Sequence, residues 1–414
     1  MNLALVARVV HAARTAPSRA DVAAATFMTR ATASRLVDEL VGAAILDEAE
    51  RPSVARRGRP VTPLLPGAKI AALGLQIDAS FLAAKVVNLR GETLAEALQP
   101  GRFVDSDPVK TFGALAAVAR EALARLPSEI HLVGTGLALP GIIDPGTERL
   151  LHAPNLGWSE LDPAGMLADG WLPDAAEFRP TAGNLAGTAL GPPRLTVVNE
   201  ADLAATTVAY DAPGRPRPLS DFLYLSGGIG IGGATVRAGE VVTGRHGWAG
   251  EIGHVTVDPG GPSCRCGSTG CLEQYTGSQA LAAAAGLAPT AGPERLVALF
   301  EAGDQRAAET VSRAAWALGV VLANAINILD IPTVVLGGHL GRIAHLLRPD
   351  LDRMLRQRVL SARWTAPSTL AFEQPWAPGA TGAAYRILMT IINDPARRIA
   401  RISANAVGRA DSAP

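Results

Sequence analysis

All three cysteines of this 414-residue chain, Cys264, Cys266 and Cys271, fall within eight consecutive residues, and His254 stands ten positions ahead of the first. The run GEIGHVTVDPGGPSCRCGSTGCLEQY, residues 250–275, therefore carries the pattern H-x9-C-x-C-x4-C. One imidazole and three thiolates complete a tetrahedral zinc shell with no position left for water, so the Zn2+ expected here is structural. The competing reading is three incidental buried thiols. The absence of cysteine elsewhere, with Gly267 and Gly270 allowing a tight loop, favours the metal. Glu251 lies three residues before the first ligand and Glu273 two after the last. Any fold that closes this loop on one ion must bring two carboxylates towards the same place, where their oxygens can accept from hydroxyl groups in fixed directions.

The length predicts two or three compact units. Hydrophobic residues make up 48% and charged residues 18%, which excludes disordered and fibrous classes. Formal net charge is zero, so any attraction to nucleic acid or membrane has to be local. Arginine far outnumbers lysine, which reads as genome base composition rather than mechanism. MNLALVARVV lacks the basic leader and apolar core of a signal peptide. The apolar run 315–329 is interrupted by Asn324 and Asn327 and is too short to span a bilayer. A cytoplasmic protein without a membrane partner is expected, in a compartment where metal explains clustered thiols better than disulfides do.

Residues 1–66 read as a unit of their own. Leu5, Val9 and Ala12 sit at helical spacing, and Ser18 with Asp21 forms a capping-box variant that starts a second helix at Arg19. After a turn at 26–28, Thr29 can cap a third helix with an inward stripe of Ala33, Leu36, Val37 and Leu40. Arg30, Thr32, Ser34 and Arg35 then face partly or wholly outward near its start, as side chains entering a major groove do. Two short strands flank a loop carrying Arg51, Arg56, Arg57 and Arg59, a wing able to clamp phosphate or enter a minor groove. Over 1–66 nine arginines face six acids, the surplus lying on that wing. A winged helix-turn-helix that binds DNA is expected; the alternative is a helical protein-interaction module with a solvated basic loop.

From residue 71 onward β-rich segments alternate with glycine turns and helices, the latter expected at 107–126, 278–287 and 305–329, which argues an α/β architecture. The stripe Val311, Ala315, Leu318, Leu322 and Ala325 reads as core rather than interface. The segments LPGIID (139–144), APNLGW (153–158), NEADLAA (199–205), SGGIGIGG (226–233), GEIGH (250–254) and CRCGSTGCLEQY (264–275) resemble the ROK family of repressors, open reading frames and kinases. The resemblance runs from Asn2 to about Ile391, and GEIGH followed by the cysteine loop at this spacing is its most specific part. It implies a two-lobed actin-like, ribonuclease H-like sugar-kinase domain over 71–391, with a zinc loop at 250–275 and a tail over 392–414. It also implies a hexose cleft lined by Asn199, Glu200, Glu251, His254 and Glu273, with Gly141 and Asn155 as weaker members.

Three departures from the family's kinases speak against catalysis and leave ATP and magnesium doubtful. Where those kinases have D-x-G-G-T, this chain has Gln76-Ile77-Asp78-Ala79-Ser80; a shifted register makes Asp78 the acid but still supplies no glycine. Glu200 occupies the position of the kinase base, an aspartate, and its extra methylene moves the carboxylate by more than about an ångström, enough to cost roughly a hundredfold in rate. Gly227 stands where kinases carry threonine, although Gly228, Gly230, Gly232, Gly233, Gly337 and Gly338 persist and His339 follows. The expectation is a sugar-responsive repressor, a homodimer or homotetramer on operator DNA, without efficient phosphorylation. Two rivals stand beside it: an ATP-dependent sugar kinase with a DNA-binding head, and a regulator whose pocket is vestigial.

Overall fold

The computed structural model describes residues 2–49, 62–171, 195–373, 376–400 and 402. The chain begins with helices α1 (Asn2–Ala12), α2 (Arg19–Ala25) and α3 (Arg30–Gly42), followed by strands β1 (Leu46–Glu48) and β2 (Leu64–Pro66), which pair antiparallel. Ser18 and Asp21 close the expected capping box on α2, and the Thr29 hydroxyl accepts from the Thr32 amide at the start of α3. Ala33, Leu36, Val37 and Leu40 are all buried, so the third helix turns its inward stripe as its periodicity requires. The four wing arginines, Arg51, Arg56, Arg57 and Arg59, lie outside the described residues.

Two sheets build the body. The first contains β3 (Ile70–Ile77), β4 (Phe81–Asn88), β5 (Thr93–Pro100), β6 (His131–Leu139) and β10 (Leu195–Asn199), in the order β5-β4-β3-β6-β10. The second contains β13 (Phe222–Gly227), β14 (Ile231–Arg237), β15 (Glu240–Val241), β16 (Thr333–Gly337) and β17 (Ser368–Ala371), in the order β15-β14-β13-β16-β17. In each sheet three antiparallel strands are extended by two parallel ones, so the topology is duplicated in the two lobes of the expected actin-like plan. A small third sheet joins β7 (Ile142–Ile143), β8 (Leu150–Ala153) and β9 (Trp158–Leu161), and β11 (Tyr210–Ala212) pairs with β12 (Arg215–Pro216).

Helices α4 (Pro108–Leu123) and α5 (Pro163–Trp171) belong to the first lobe. Helix α6 (Glu200–Ala209) leaves β10 directly, while α7 (Glu273–Thr276), α8 (Ser278–Ala284), α9 (Pro293–Glu301), α10 (Gln305–Leu329), α11 (Gly338–Arg342) and α12 (Ala344–Arg358) belong to the second lobe. Helix α10 is long and apolar enough to cross a membrane, but Val311, Ala315, Leu318 and Leu322 lie in the second-lobe core, as the stripe predicts.

Helix α13 (Pro378–Asn393) returns to the first lobe and joins it to the N-terminal helices. Val6, Val10, Leu36 and Leu40 share one hydrophobic core with Ile70, Val87 and Leu89 of the body and with Leu388 and Ile392 of α13. Arg90 tightens the same seam by donating to the Pro66 carbonyl and to Asp47, and Arg398 donates to the Ala43 carbonyl. His11 is sealed within the seam, and burial outweighs the Pro213 and Ile45 backbone groups beside it and holds its pKa down at about 4.

This has a consequence for stability. An unfolded histidine protonates below its ordinary 6.5, whereas buried His11 stays neutral until about 4, so stability is lost as pH falls through that window. At about pH 5 the loss amounts to about 2 kcal/mol. Burial raises the carboxyls of Glu200 and Asp202, which act in the opposite direction, so the comparison must be with His11→Leu. Urea midpoints at about pH 7.5 and 5 should fall further on acidification in the wild type than in His11→Leu. Equal shifts in the two proteins would show that His11 does not titrate this seam.

Candidate functional site

The metal-ligating side chains come together as the sequence requires. The ligand atoms of His254, Cys264, Cys266 and Cys271 all lie within 4.8 Å of one another. His254 Nδ1 is 3.7 Å from Cys264 Sγ, and Cys266 Sγ is 3.7 Å from Cys271 Sγ. A tetrahedron with metal–sulfur bonds near about 2.3 Å has sulfur–sulfur edges of about 3.7–3.8 Å. Two of the ligand pairs already match that edge, and the four side chains together could hold a metal ion. Burial, followed by the adjoining thiols, pushes the Cys271 thiol up to about 12, a shift that a bound cation opposes by stabilising the thiolate. Between the ligands, Arg265 donates to both carboxylate oxygens of Asp105 at 2.8 and 2.9 Å, tying the loop to the first lobe.

The cluster stands directly beside the carboxylates. Glu273 begins α7, is 5% exposed, and accepts from the Ile231 amide at 3.2 Å and from Asn155 Nδ2 at 3.1 Å. Asn155 follows β8 in the first lobe, so this bond crosses between lobes. The backbone of Gly230 passes so close that a Cβ there would lie 2.4 Å from both Asn155 Nδ2 and Glu273 Oε2. Glu251 precedes the one-turn 3₁₀ segment Ile252–His254, and its carboxyl is raised by burial and then by Glu273, while His254 opposes the shift. Asn199 caps α6 by accepting from the Ala201 amide, and its Nδ2 donates to the Gly141 carbonyl at 3.0 Å.

Glu200, the first residue of α6, has its carboxyl pushed up to about 8, chiefly by burial and then by Asp78. A neutral carboxyl at that point can donate as well as accept, and its neighbours are polar rather than cationic. Gln76 Nε2 lies 3.5 Å from Glu200 Oε2. Asp78 accepts from both the amide and the hydroxyl of Ser80 and faces the backbone of Gly228. Sequence reasoning missed Asp202, buried two residues after Glu200, whose carboxyl is raised to about 7 by burial and then by Glu251. A second acid two positions after Glu200, in the alanine-rich EADLAA, was its only signal.

The glycine-rich segment SGGIGIGG packs against a histidine of the second lobe. The His339 ring, 7% exposed, has Nε2 at 2.7 Å from the Thr276 carbonyl. A Cβ on Gly227 would lie 2.8 Å from both Cε1 and Nδ1 of that ring. The space a threonine side chain would take at position 227 is thus filled by an imidazole from α11.

On the N-terminal helices, Arg30 and Arg35 are exposed and Thr32 and Ser34 half-buried. Arg35 is paired with Glu39. Ser34 accepts from Arg19 at 2.8 Å, and Arg19 also bonds Asp38 and Glu48, so Ser34 is fixed by a network that includes β1. Arg30 stands at the first position of α3.

Comparison with known proteins accounts for both parts. The family model described as "ROK family" matches residues 193–388. A xylose repressor from Caldicellulosiruptor bescii is 23% identical over 364 residues, covering 84% of this chain and 85% of that protein. An N-acetylmannosamine kinase from Salmonella arizonae is 32% identical over 273 residues, covering 65% of this chain and 83% of the kinase. Among solved structures, a ROK family transcriptional regulator described as a homologue of E. coli MLC protein superposes with a TM-score of 0.70 at 18% identity, over 96% of this chain and 99% of that one. The duplicated sheets, the His254–Cys271 cluster and the kinase-like half of the chain have one common explanation, which is that this chain belongs to the ROK family.

Proposed function

We propose that the protein is a DNA-binding regulator, acting as a repressor, whose kinase-like body binds a sugar without efficient phosphate transfer. The observation that carries this reading is the interlobe Asn155–Glu273 bond beside the cysteine cluster, together with the His339 ring filling the space a side chain at position 227 would take. Zinc on His254, Cys264, Cys266 and Cys271 supplies charge and a fixed geometry to the loop that bears Glu251 and Glu273. Asn199, Glu200, Glu251, His254 and Glu273 then recognise sugar hydroxyls. Arg30, Thr32, Ser34 and Arg35 on α3, with Arg56, Arg57 and Arg59 on the wing, contact operator DNA. An operator of two half-sites requires a homodimer or homotetramer in the cytoplasm.

Titration of DNA from upstream of the protein's own gene tests this, with D-xylose, D-glucose or N-acetyl-D-mannosamine as effector. One sugar should change operator affinity by about 5–150-fold. Arg30→Ala should weaken operator binding about tenfold or more while leaving sugar affinity unchanged. No shift with any sugar, or unaltered affinity in Arg30→Ala, would count against the corresponding half of the reading. A second reading, a sugar kinase with a DNA-binding head, draws support from the kinase relative and from Asp78, an acid that faces Gly228 and adjoins Glu200. Release of ADP with these sugars, abolished in Glu200→Gln, would establish it.

A further inference from the structure

Two helix N-termini converge on one buried amide. Gln76, 4% exposed at the end of β3, accepts from the Ala380 amide of α13 at 3.1 Å through Oε1, while its Nε2 faces Glu200 at the start of α6. Helix α13 is preceded by Ala377 and has no side-chain cap of its own, so Gln76 satisfies one of the amides its first turn leaves open. An aspartate or glutamate at position 76 could take the Ala380 amide but, when ionised, could not donate to Glu200. The departure from the kinase pattern at this position therefore has a positive purpose, since an amide can donate on one side and accept on the other.

Beyond that contact, α13 has no slack. A Cβ on Gly74 of β3 would lie 1.8 Å from the Ala380 carbonyl oxygen, and one on Gly382 would lie 1.9 Å from the Leu203 carbonyl oxygen of α6. Backbone meets backbone, so α6, α13 and the central strands of the first sheet move together. The far end of α13 lies in the seam described above. Leu388 and Ile392 share a core with Val6, Val10 and Leu36, and a Cβ on Gly214 would lie 3.1 Å from both His11 Cβ and Ile392 Cδ1.

We infer that Gln76 is a positioning residue that couples cleft occupancy to the N-terminal helices: a sugar hydroxyl donating to Glu200 competes with the Gln76 amide for that carboxyl, and the change in the hold of Gln76 on Ala380 passes along α13 to the head. This rests on the sugar-responsive reading above and names the regulatory contact within it.

The test uses the full chain and the variant Gln76→Met, which keeps volume and loses both polar ends. The quantity read is the ratio of operator dissociation constants with and without saturating D-xylose, D-glucose or N-acetyl-D-mannosamine. In the wild type one of these sugars gives a ratio of about 5–150. In Gln76→Met the ratio should collapse to within about twofold of one, while sugar affinity and sugar-free operator affinity each stay within about fivefold of wild type. A wild-type ratio retained in Gln76→Met would overturn the coupling role and leave the proposed function standing. A wild-type ratio of one with every sugar would instead overturn that function, and the coupling with it. Hydrogen exchange of the first turn of α13 in the wild type provides a readout that does not depend on the variant's folding. Its protection should change on sugar binding, and an unchanged rate with sugar bound would also overturn the coupling.

Discussion

Cys271→Ser should abolish stoichiometric zinc and, with it, measurable sugar binding. Cys271 is fully buried, with its sulfur 3.7 Å from Cys266, and Leu272 alone separates it from Glu273. A serine hydroxyl is a poor substitute for a thiolate in a closed shell. Without the ion, His254 alone opposes the burial and the Glu273 charge that disfavour the charged form of Glu251, and the loop loses the geometry that sets the two carboxylates side by side. Misplacement of a recognition group by about an ångström can cost about a hundredfold, so calorimetry should show affinity reduced by at least that factor. The measurement pairs metal content by mass spectrometry with sugar calorimetry. Full zinc stoichiometry in the variant would break the ligand assignment, and full sugar affinity in zinc-free protein would break the link between clamp and cleft.

Gly230→Ala should close the cleft with a single methyl group while leaving the metal in place. The added carbon would fall 2.4 Å from Asn155 Nδ2 and from Glu273 Oε2, and Glu273 is also anchored by the Ile231 amide. Relief requires the interlobe Asn155–Glu273 bond to open and a buried carboxylate to leave its donors, a change worth about 3 kcal/mol. Sugar binding should therefore weaken roughly a hundredfold. Zinc content and sugar-free operator affinity should be unchanged. Sugar affinity within about threefold of wild type would show that Glu273 does not form part of the binding surface.

The parts of this protein that were legible in its sequence are those fixed by local rules. Ser18 and Asp21 sit where a capping box requires, Thr29 caps α3, and the His254–Cys271 cluster that could hold a metal lies in one short stretch of chain. Helix α10 has the bounds its apolar periodicity predicts. The helices expected over 107–126 and 278–287 are both shorter, at Pro108–Leu123 and Ser278–Ala284. Helix α13 was not legible, since it opens PGATGAAY, in which Pro378, Gly379, Thr381 and Gly382 are weak in helix propensity. Its small residues are there because Gly74 and Leu203 press on its backbone, a relation between segments far apart in sequence. Helix α12 was obscured by Pro349 in its interior. At the turn between α2 and α3, Phe27 adopts φ 57 and is 98% exposed, and nothing in the structure explains the choice of a bulky residue there.

At the site, residue types were legible and pairings were not. Glu251, Glu273 and His254 were expected together because a single ion gathers them. The neighbours of Glu200 were beyond reach, since Gln76 and Asp78 lie more than a hundred positions away in the chain. In sequence Gln76 registers as the loss of an acid; its bond to Ala380, 304 positions distant, appears only once α13 is docked.

The common core of the N-terminal helices and the body bears on how such regulators can be re-engineered. A chimera that grafts residues 1–66 onto a foreign effector module would leave Val6, Val10 and Leu36 facing water unless it also carried a matching version of Leu388 and Ile392. The functional cassette is discontinuous, the first segment of the polypeptide together with its last long helix. Swapping both as a set should preserve responsiveness where exchange of the N-terminal piece alone does not.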